Sequence, residues 1–360
     1  MQRRHDIDWI RDITVLGMIL YHSFIIFMTR EEAVFFIRSG VNLRFCEYIE
    51  ATMSRFAMPL LFILAGFSVW HSLRRRTIKE FVMQRVRKLL LPMLLVSYIL
   101  NPLTSYIYGI SIGRDISFGK HYSLFLTTIS RNFEGRTTGF SPMHTWFLLY
   151  LFLFTIAYLP FLRKFVTEAY QSKLDKIARV FEGRCRLLLF VIPYPFLFLI
   201  EILGEMNPLG YLYLFFLGFL LATSERYQKA LDRDKWIYTG LFIVLMGITL
   251  TVWFGNGNVT ENLLFGFVIM AVRIISCYAI LGLAHSFIPN RKSKVLSFLN
   301  GANFPIYLYH MLVLTIVGYL VLKLRMNAYI QFMIINIVTY SLCFGIYVIY
   351  QRVKKKSVKT

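Results

Sequence analysis

The chain has 360 residues, 57% of them apolar and only 16% charged, with a mean hydropathy of +0.58 and a formal net charge of +21. A soluble fold of this length has no use for so many long apolar runs. In a soluble chain the basic excess would point to nucleic acid; here it is sorted by membrane side, and no nucleic-acid partner is expected. Four cysteines (Cys46, Cys185, Cys277, Cys343) stand apart without CxxC spacing, which argues against a disulfide framework and a zinc site.

The first apolar run, Trp9 to Thr29, is long enough to cross a bilayer at 1.5 Å per residue. It is too long and too poorly flanked for a cleaved signal peptide, so it is expected to persist as a helix. It nevertheless carries Arg11, an aspartate and His22, and ionisable groups at membrane depth default to a functional hypothesis. Eleven residues make about three helical turns, so Arg11 and His22 share a face about 16 Å apart. Asp8 precedes Arg11 by three residues and is placed to pair with it.

Ten helices are expected in all, near 9–29, 53–73, 89–110, 144–162, 187–204, 207–223, 236–254, 262–288, 302–322 and 328–350. The fold class is all-α, a polytopic transmembrane bundle of about ten spans. Only Glu205-Met206 separates the fifth run from the sixth, which implies a tight re-entering pair. Pro92, Pro142, Pro160, Gly255-Asn256-Gly257 and Pro289 punctuate the ends. Period-2 alternation is absent, which argues against a β-barrel, and no internal repeat is evident. One domain over 1–360 is expected, ending in a short basic tail at 351–360.

Charge sets the orientation. Twenty-eight Lys and Arg fall on one set of alternating segments (the N-terminal tail, 74–88, 163–186, 224–235, 289–301 and the C-terminal tail), and nine on the other; Arg11, Arg55 and Arg273 complete the forty. Positive loops stay inside, so both termini are expected in the cytoplasm, which an even number of spans allows. The basic segments also meet anionic lipid.

Four groups of residues have chemistry to offer. His22, in the outer half of the first span, is either an interhelical hydrogen-bond partner or a general base, since imidazole titrates near neutrality. Arg85, Arg87 and Lys88 precede the third span. Arg85 and Lys88 are i and i+3, a spacing suited to clamping a phosphorylated group as well as to ordinary stop-transfer charge. His144 and Trp146 open the fourth span at the outer surface, where Trp anchoring is common. His310 follows Pro305 in the ninth run, near mid-membrane, and Pro305 frees a backbone carbonyl there. Arg273, in the eighth run, needs an anionic or backbone partner; Glu201 and Glu205 are candidates that sequence alone does not pair. The seven histidines lack paired ligand spacing, so no metal is expected.

Together these pieces resemble the acyltransferase family 3 membrane proteins, and within them the branch that includes glucans biosynthesis protein C. The likeness begins at Asp8-Trp9-Ile10-Arg11, where Arg11 and His22 match the family's Arg, ten residues, then His. It continues through Met58–Phe67, with Ala65 where serine is more usual, and through Arg85-Val86-Arg87-Lys88, with Lys88 or Arg87 in place of a second arginine. His144-Thr145-Trp146-Phe147-Leu148 and Phe304–His310 are similar to later signatures. The resemblance implies transfer of an acetyl- or succinyl-class group from cytoplasmic acyl-CoA to a hydroxyl of an extracytoplasmic carbohydrate of the cell envelope, in the inner membrane. No fused hydrolase-like domain is expected after the last span.

On this reading Arg85, Arg87 and Lys88 hold the donor's phosphates, His22 is the base, and Arg11, set by Asp8, orders the inner end of the tunnel. His144, Trp146 and His310 meet the acceptor or its developing charge. An acyl-enzyme ranks lower, because no serine or cysteine has an activated setting. A glycan or lipid-linked glycan transporter is the alternative, though paired broken helices are not evident. Oligomeric state is left open.

Overall fold

The computed structural model describes residues 4–29, 37–129, 139–255 and 263–357. The expected Asn256-Gly257 punctuation and the last residues of the basic tail lie outside them. Among the described residues the fold is all-α, with a single isolated bridge between Ile129 and Phe140 and no strand.

Among the described residues, seven helical stretches are long and apolar enough to span a membrane: α1 (His5–Ile26), α2 (Arg44–Leu73), a continuous run of three helices over Ile78–Ser111, α11 (Glu225–Phe254), α12 (Leu263–Phe287), α13 (Lys294–Leu322) and α14 (Ala328–Ser357). The Ile78–Ser111 run comprises α3 (Ile78–Arg85), α4 (Leu91–Leu95) and α5 (Asn101–Ser111), joined by π-type turns at Val86–Leu90 and Val96–Leu100. Each π turn ends two residues before a proline, Pro92 or Pro102. The missing prolyl N–H is absorbed by a local change of hydrogen-bond register instead of a break. Thr77 and Glu80 close the start of α3 with a reciprocal capping box. The shorter helices are α6 (Phe118–Thr127), α7 (Trp146–Ala157), α8 (Leu159–Phe165), α9 (Glu168–Val180) and α10 (Pro208–Leu221). A 3-10 turn (Met143–Thr145) leads into α7, and α7 and α8 make an eighth span bent by 67° ahead of Pro160.

The expected count of ten is therefore corrected to seven, or eight with the bent pair. The fifth run, 187–204, forms 3-10 turns at Arg186–Phe190 and Pro195–Leu199 instead of a spanning helix. Pro193 and Pro195, two residues apart, each remove a donor and crowd a carbonyl one turn back. The sixth is α10, whose 14 residues reach only about 21 Å at 1.5 Å each, short of a bilayer core.

The chain divides into two compact units: one of Met1–Arg11, Ala51–Val86 and Tyr150–Lys292, the other of Asp12–Glu50, Arg87–Leu149 and Ser293–Thr360. In the first, α11 pairs with α12, and α2 and α10 meet backbone to backbone. A Cβ at Gly66 would lie 1.9 Å from the Phe215 carbonyl oxygen, and one at Gly218 1.9 Å from that of Ile63. Small residues at such crossings let transmembrane helices pack closely. Outside the spans, α9 is tied to the start of α11 by Asp175, which accepts from Ser224 and Arg226. The Arg226 hydrogen bond holds the Asp175 carboxyl below the usual aspartate range.

In the second unit α13 packs on α14 and α5. Ile19, Ala302, Ile306, Cys343 and Tyr347 form a core cluster; Phe24 stacks on Phe332, and Phe45 meets both edge-on. Two part-buried phenols are satisfied by helix carbonyls: Tyr340 donates to Leu16 and Tyr309 to Cys343, each at 2.8 Å. That pairing offsets the cost of placing a hydroxyl where no water reaches it.

Candidate functional site

The second unit gathers three of the singled-out histidines into one buried cluster. His22 of α1, His144 of the 3-10 turn and His310 of α13 are all buried. His22 stacks on His310 with ring centroids 5.5 Å apart, and His144 meets His310 edge-on at 5.2 Å. Local bonds fix two of the rings. His310 donates through Nδ1 to the Tyr307 carbonyl at 2.7 Å, and His144 through Nε2 to the Leu308 carbonyl at 3.3 Å. A carbonyl only accepts, so the protonated nitrogen is assigned in each. The opposite nitrogens, His310 Nε2 and His144 Nδ1, are buried with no hydrogen-bond partner. In a neutral ring each of these is a lone pair ready to take a proton.

The sequence explains how His144 is held. Met143 sits at φ +46, a left-handed conformation unusual for a side chain of its size. Asn101 Nδ2 braces the turn by donating to the carbonyls of Ser141 (3.2 Å) and Pro142 (3.0 Å). Ser141 Oγ accepts from the Met143 N–H, and Thr145 Oγ1 donates to Pro142 and lies 3.3 Å from Ser97 Oγ. Tyr307 donates to the His144 carbonyl at 2.6 Å. Trp146 is buried and begins α7. Farther toward the N-terminus of α1, buried Asp12 accepts from Asn303 Nδ2 at 2.6 Å. Asn101, Tyr307, Asp12 and Asn303 were not among the expected site residues. Their signal was only that they are polar residues inside apolar runs.

The other expected residues lie in the first unit or at its edge. The Asp8–Arg11 pair is present, with Arg11 Nη2 2.7 Å from Asp8 Oδ1, and His5 Nδ1 lies 3.8 Å from the same carboxylate. Arg11 stays about three turns from His22 along α1. Arg85 ends α3 with its guanidinium over the Phe81 ring at 4.7 Å, and its Nε is buried without an acceptor. Arg87 and Lys88 are exposed. They sit in the π turn, whose wider register departs from the α spacing that would set Arg85 and Lys88 on one face.

The first unit also pairs charges that sequence left unpaired. Arg273 Nη2 lies 3.6 Å from Glu205 Oε1, and Arg55 Nη1 donates to the same oxygen at 3.3 Å. Glu201 lines the cavity beside them. Among the described residues, no group of three or more His, Cys, Asp or Glu is arranged to hold a metal ion.

A helical fold with many apolar helices long enough to span a bilayer defines an integral membrane protein. The sequence model described as an acyltransferase domain matches residues 4–349, and the chain belongs to acyltransferase family 3. It is a membrane O-acyltransferase. No curated protein and no solved structure matches the chain significantly.

Proposed function

We propose that this enzyme moves an acetyl- or succinyl-class group from cytoplasmic acyl-CoA to a hydroxyl of an extracytoplasmic glycan, from an inner membrane in which both termini face the cytoplasm. The observation that carries the reading is the buried stack of His22 on His310 within 5.5 Å, in a chain whose basic residues gather on the opposite side. That orientation requires an even number of spans. Eight spans are still even in number, and the 187–221 segment leaves and returns on one side.

The donor is a substrate with phosphates to be held, and the residues present suit it. Arg85 keeps a buried Nε without an acceptor, and Arg87 and Lys88 are exposed to meet oxyanions. His22 takes the proton of the acceptor hydroxyl as its oxygen attacks the thioester carbonyl carbon. As the carbon–sulfur bond breaks, that proton passes to the departing thiolate. Direct transfer of this kind needs no acyl-enzyme. The fixed tautomers of His144 and His310 leave their lone pairs beside His22, where they orient the hydroxyl and accept from an imidazolium as it forms. Arg11, anchored by Asp8, orders the inner end of the donor path, and Trp146 walls the acceptor side.

The test uses purified full-length protein with labelled acetyl-CoA and succinyl-CoA, alongside mass spectrometry of envelope glycans from cells with and without it. One added acyl mass on a glycan is expected. His22→Ala is expected to lower the rate by at least about 100-fold, the usual scale of a lost general base. A His22→Ala protein transferring at the wild-type rate removes the base, and an unchanged glycan profile removes the acceptor class.

A further inference from the structure

Arg55 and Arg273 are among the most deeply buried charged residues of the first unit, with 4% and 1% of their surfaces exposed. They share one carboxylate oxygen of Glu205, so the cluster carries two cations against one anion. Arg55 Nε is buried without an acceptor, and Arg273 Nε and Nη1 make no hydrogen bond of ordinary geometry, with the buried Tyr194 phenol lying against Arg273. Leaving charged donors unmet inside a protein is costly, and a structural ion pair alone has no need of the second guanidinium.

Glu205 links the cluster to a cavity whose lining includes neither arginine. Glu205 opens onto a cavity of about 570 Å³ lined by Phe198, Glu201, Gly204, Glu205, Asn207 and Met270, within the range of small-molecule pockets. Arg273 lies over Phe198 at 5.3 Å and Arg55 over Trp253 at 5.5 Å, contacts that fix guanidinium planes. The turn that presents Glu205 is built with care. Leu203 and Gly204 are both left-handed, at φ +56 and +54. Asn207 caps α10 through Oδ1 and ties down the Leu197 and Ile200 carbonyls through Nδ2. Non-glycine residues held at positive φ gather at ligand sites. Glu205 has 62% of its side chain exposed because it faces the cavity. Burial among the cavity walls works against its charge, yet Arg55 and Arg273 outweigh that and hold the carboxyl below the usual glutamate range.

We propose that the Arg55–Glu205–Arg273 cluster binds the carboxylate or phosphate of an acidic saccharide, with Glu205 as the resident counter-ion. Paired guanidiniums suit such planar or tetrahedral oxyanions, and Phe198 supplies an apolar face for the sugar ring. Arg55 lies about 16 Å into α2 and Arg273 about 15 Å into α12, the outer half of each in the proposed orientation, so the assignment to the acceptor side rests on that reading. The anion site itself does not.

The test is binding, not turnover. Full-length protein in neutral detergent is titrated with glucuronate, glucose 1-phosphate, glucose and inorganic phosphate at constant ionic strength, following the thermal midpoint. The acidic sugars are expected to bind at least about tenfold more tightly than glucose, the scale of one charge-assisted hydrogen bond, and more tightly than inorganic phosphate. Arg273→Lys, which keeps the charge but not the fork, is expected to lose most of that preference. Glu205→Gln is expected to raise affinity for the acidic sugars, and those sugars are expected to restore its thermal midpoint. A purely structural role predicts that Glu205→Gln is destabilised and indifferent to them. Equal binding of glucose, or a Glu205→Gln protein blind to acidic sugars, overturns the site. Inorganic phosphate binding as tightly as glucose 1-phosphate overturns the saccharide. So does loss of sugar binding in phosphatidylglycerol nanodiscs but not in phosphatidylcholine ones, which assigns the cluster to a lipid headgroup. His22→Ala is expected to titrate like the wild type, so failure of the proposed base leaves this measurement intact.

Discussion

Met143 spends conformational energy to place His144. A methionine at φ +46 is a strained residue of the kind that costs on the order of 1–3 kcal/mol and persists only where its surroundings over-determine it. Asn101, Ser141, Thr145 and Tyr307 supply that determination through five hydrogen bonds. The Tyr307 phenol is the link between α13 and the turn. Tyr307→Phe keeps the ring and removes the 2.6 Å bond to the His144 carbonyl. It is expected to cost about 1 kcal/mol of stability and to lower kcat more than it raises KM, because His144 loses its register to His310. Stability and steady-state kinetics on purified protein check this; an unchanged kcat with the same fall in thermal midpoint would reduce Tyr307 to packing. At this scale the sequence was legible only in part. Asp8 and Arg11 pair across one turn of one helix, which spacing alone foretells. The meeting of His22, His144 and His310 joins three distant segments, so their types stood out but their contact did not. Arg55 found its Glu205 partner for the same reason: the pairing is tertiary.

Helices built from similar apolar stretches diverged according to their prolines and glycines. Hydropathy reads 187–204 and 53–73 alike, since both are long and greasy. Pro59 sits alone within α2, which continues through it to Leu73, whereas Pro193 and Pro195 leave the fifth run in 3-10 turns. Apolar content reports burial in lipid or protein and does not distinguish a spanning helix from a folded-back segment, so the count was overestimated where prolines lay close together. The π turns at Val86–Leu90 and Val96–Leu100 were equally invisible, because they alter hydrogen-bond register without altering composition. The α2–α10 contact shows what glycine does at element scale. Gly66 and Gly218 each oppose a backbone carbonyl that has no rotamer through which to withdraw. Gly218→Ala is expected to push the helices apart and to destabilise the protein by about 1–3 kcal/mol, as overpacking does. Gly240→Ala, where nothing lies within 4 Å of the new carbon, is the control and should be neutral or slightly stabilising by helix propensity. Thermal midpoints of the two purified variants decide it. Equal shifts would mean that the α2–α10 interface yields.

For the whole molecule, what matters is the side of the membrane on which each basic segment lies. The 28-to-9 division of Lys and Arg over alternating segments gives an orientation that any even number of spans allows. With the fifth and sixth runs removed as a pair, the proposed orientation keeps the basic segments 163–186 and 224–235 on a common side. Surface labelling can read this. Cys46, Cys277 and Cys343 are buried, so a Cys185→Ser background leaves few reactive thiols, and single cysteines can be placed at exposed Lys176, Lys229 and Arg325. With a membrane-impermeant maleimide on intact cells, Arg325→Cys is expected to react. Lys176→Cys and Lys229→Cys are expected to react only after permeabilisation. Opposite protection of Lys176 and Lys229 would make the 187–221 segment a true crossing and give the chain an odd number of spans. The termini would then lie on opposite faces, and a donor held at Arg85, Arg87 and Lys88 would no longer share a compartment with the basic C-terminal helix end. Labelling of Lys176→Cys and Lys229→Cys before permeabilisation, with Arg325→Cys protected, would invert the molecule, placing the residues proposed for acyl-CoA where no acyl-CoA is found.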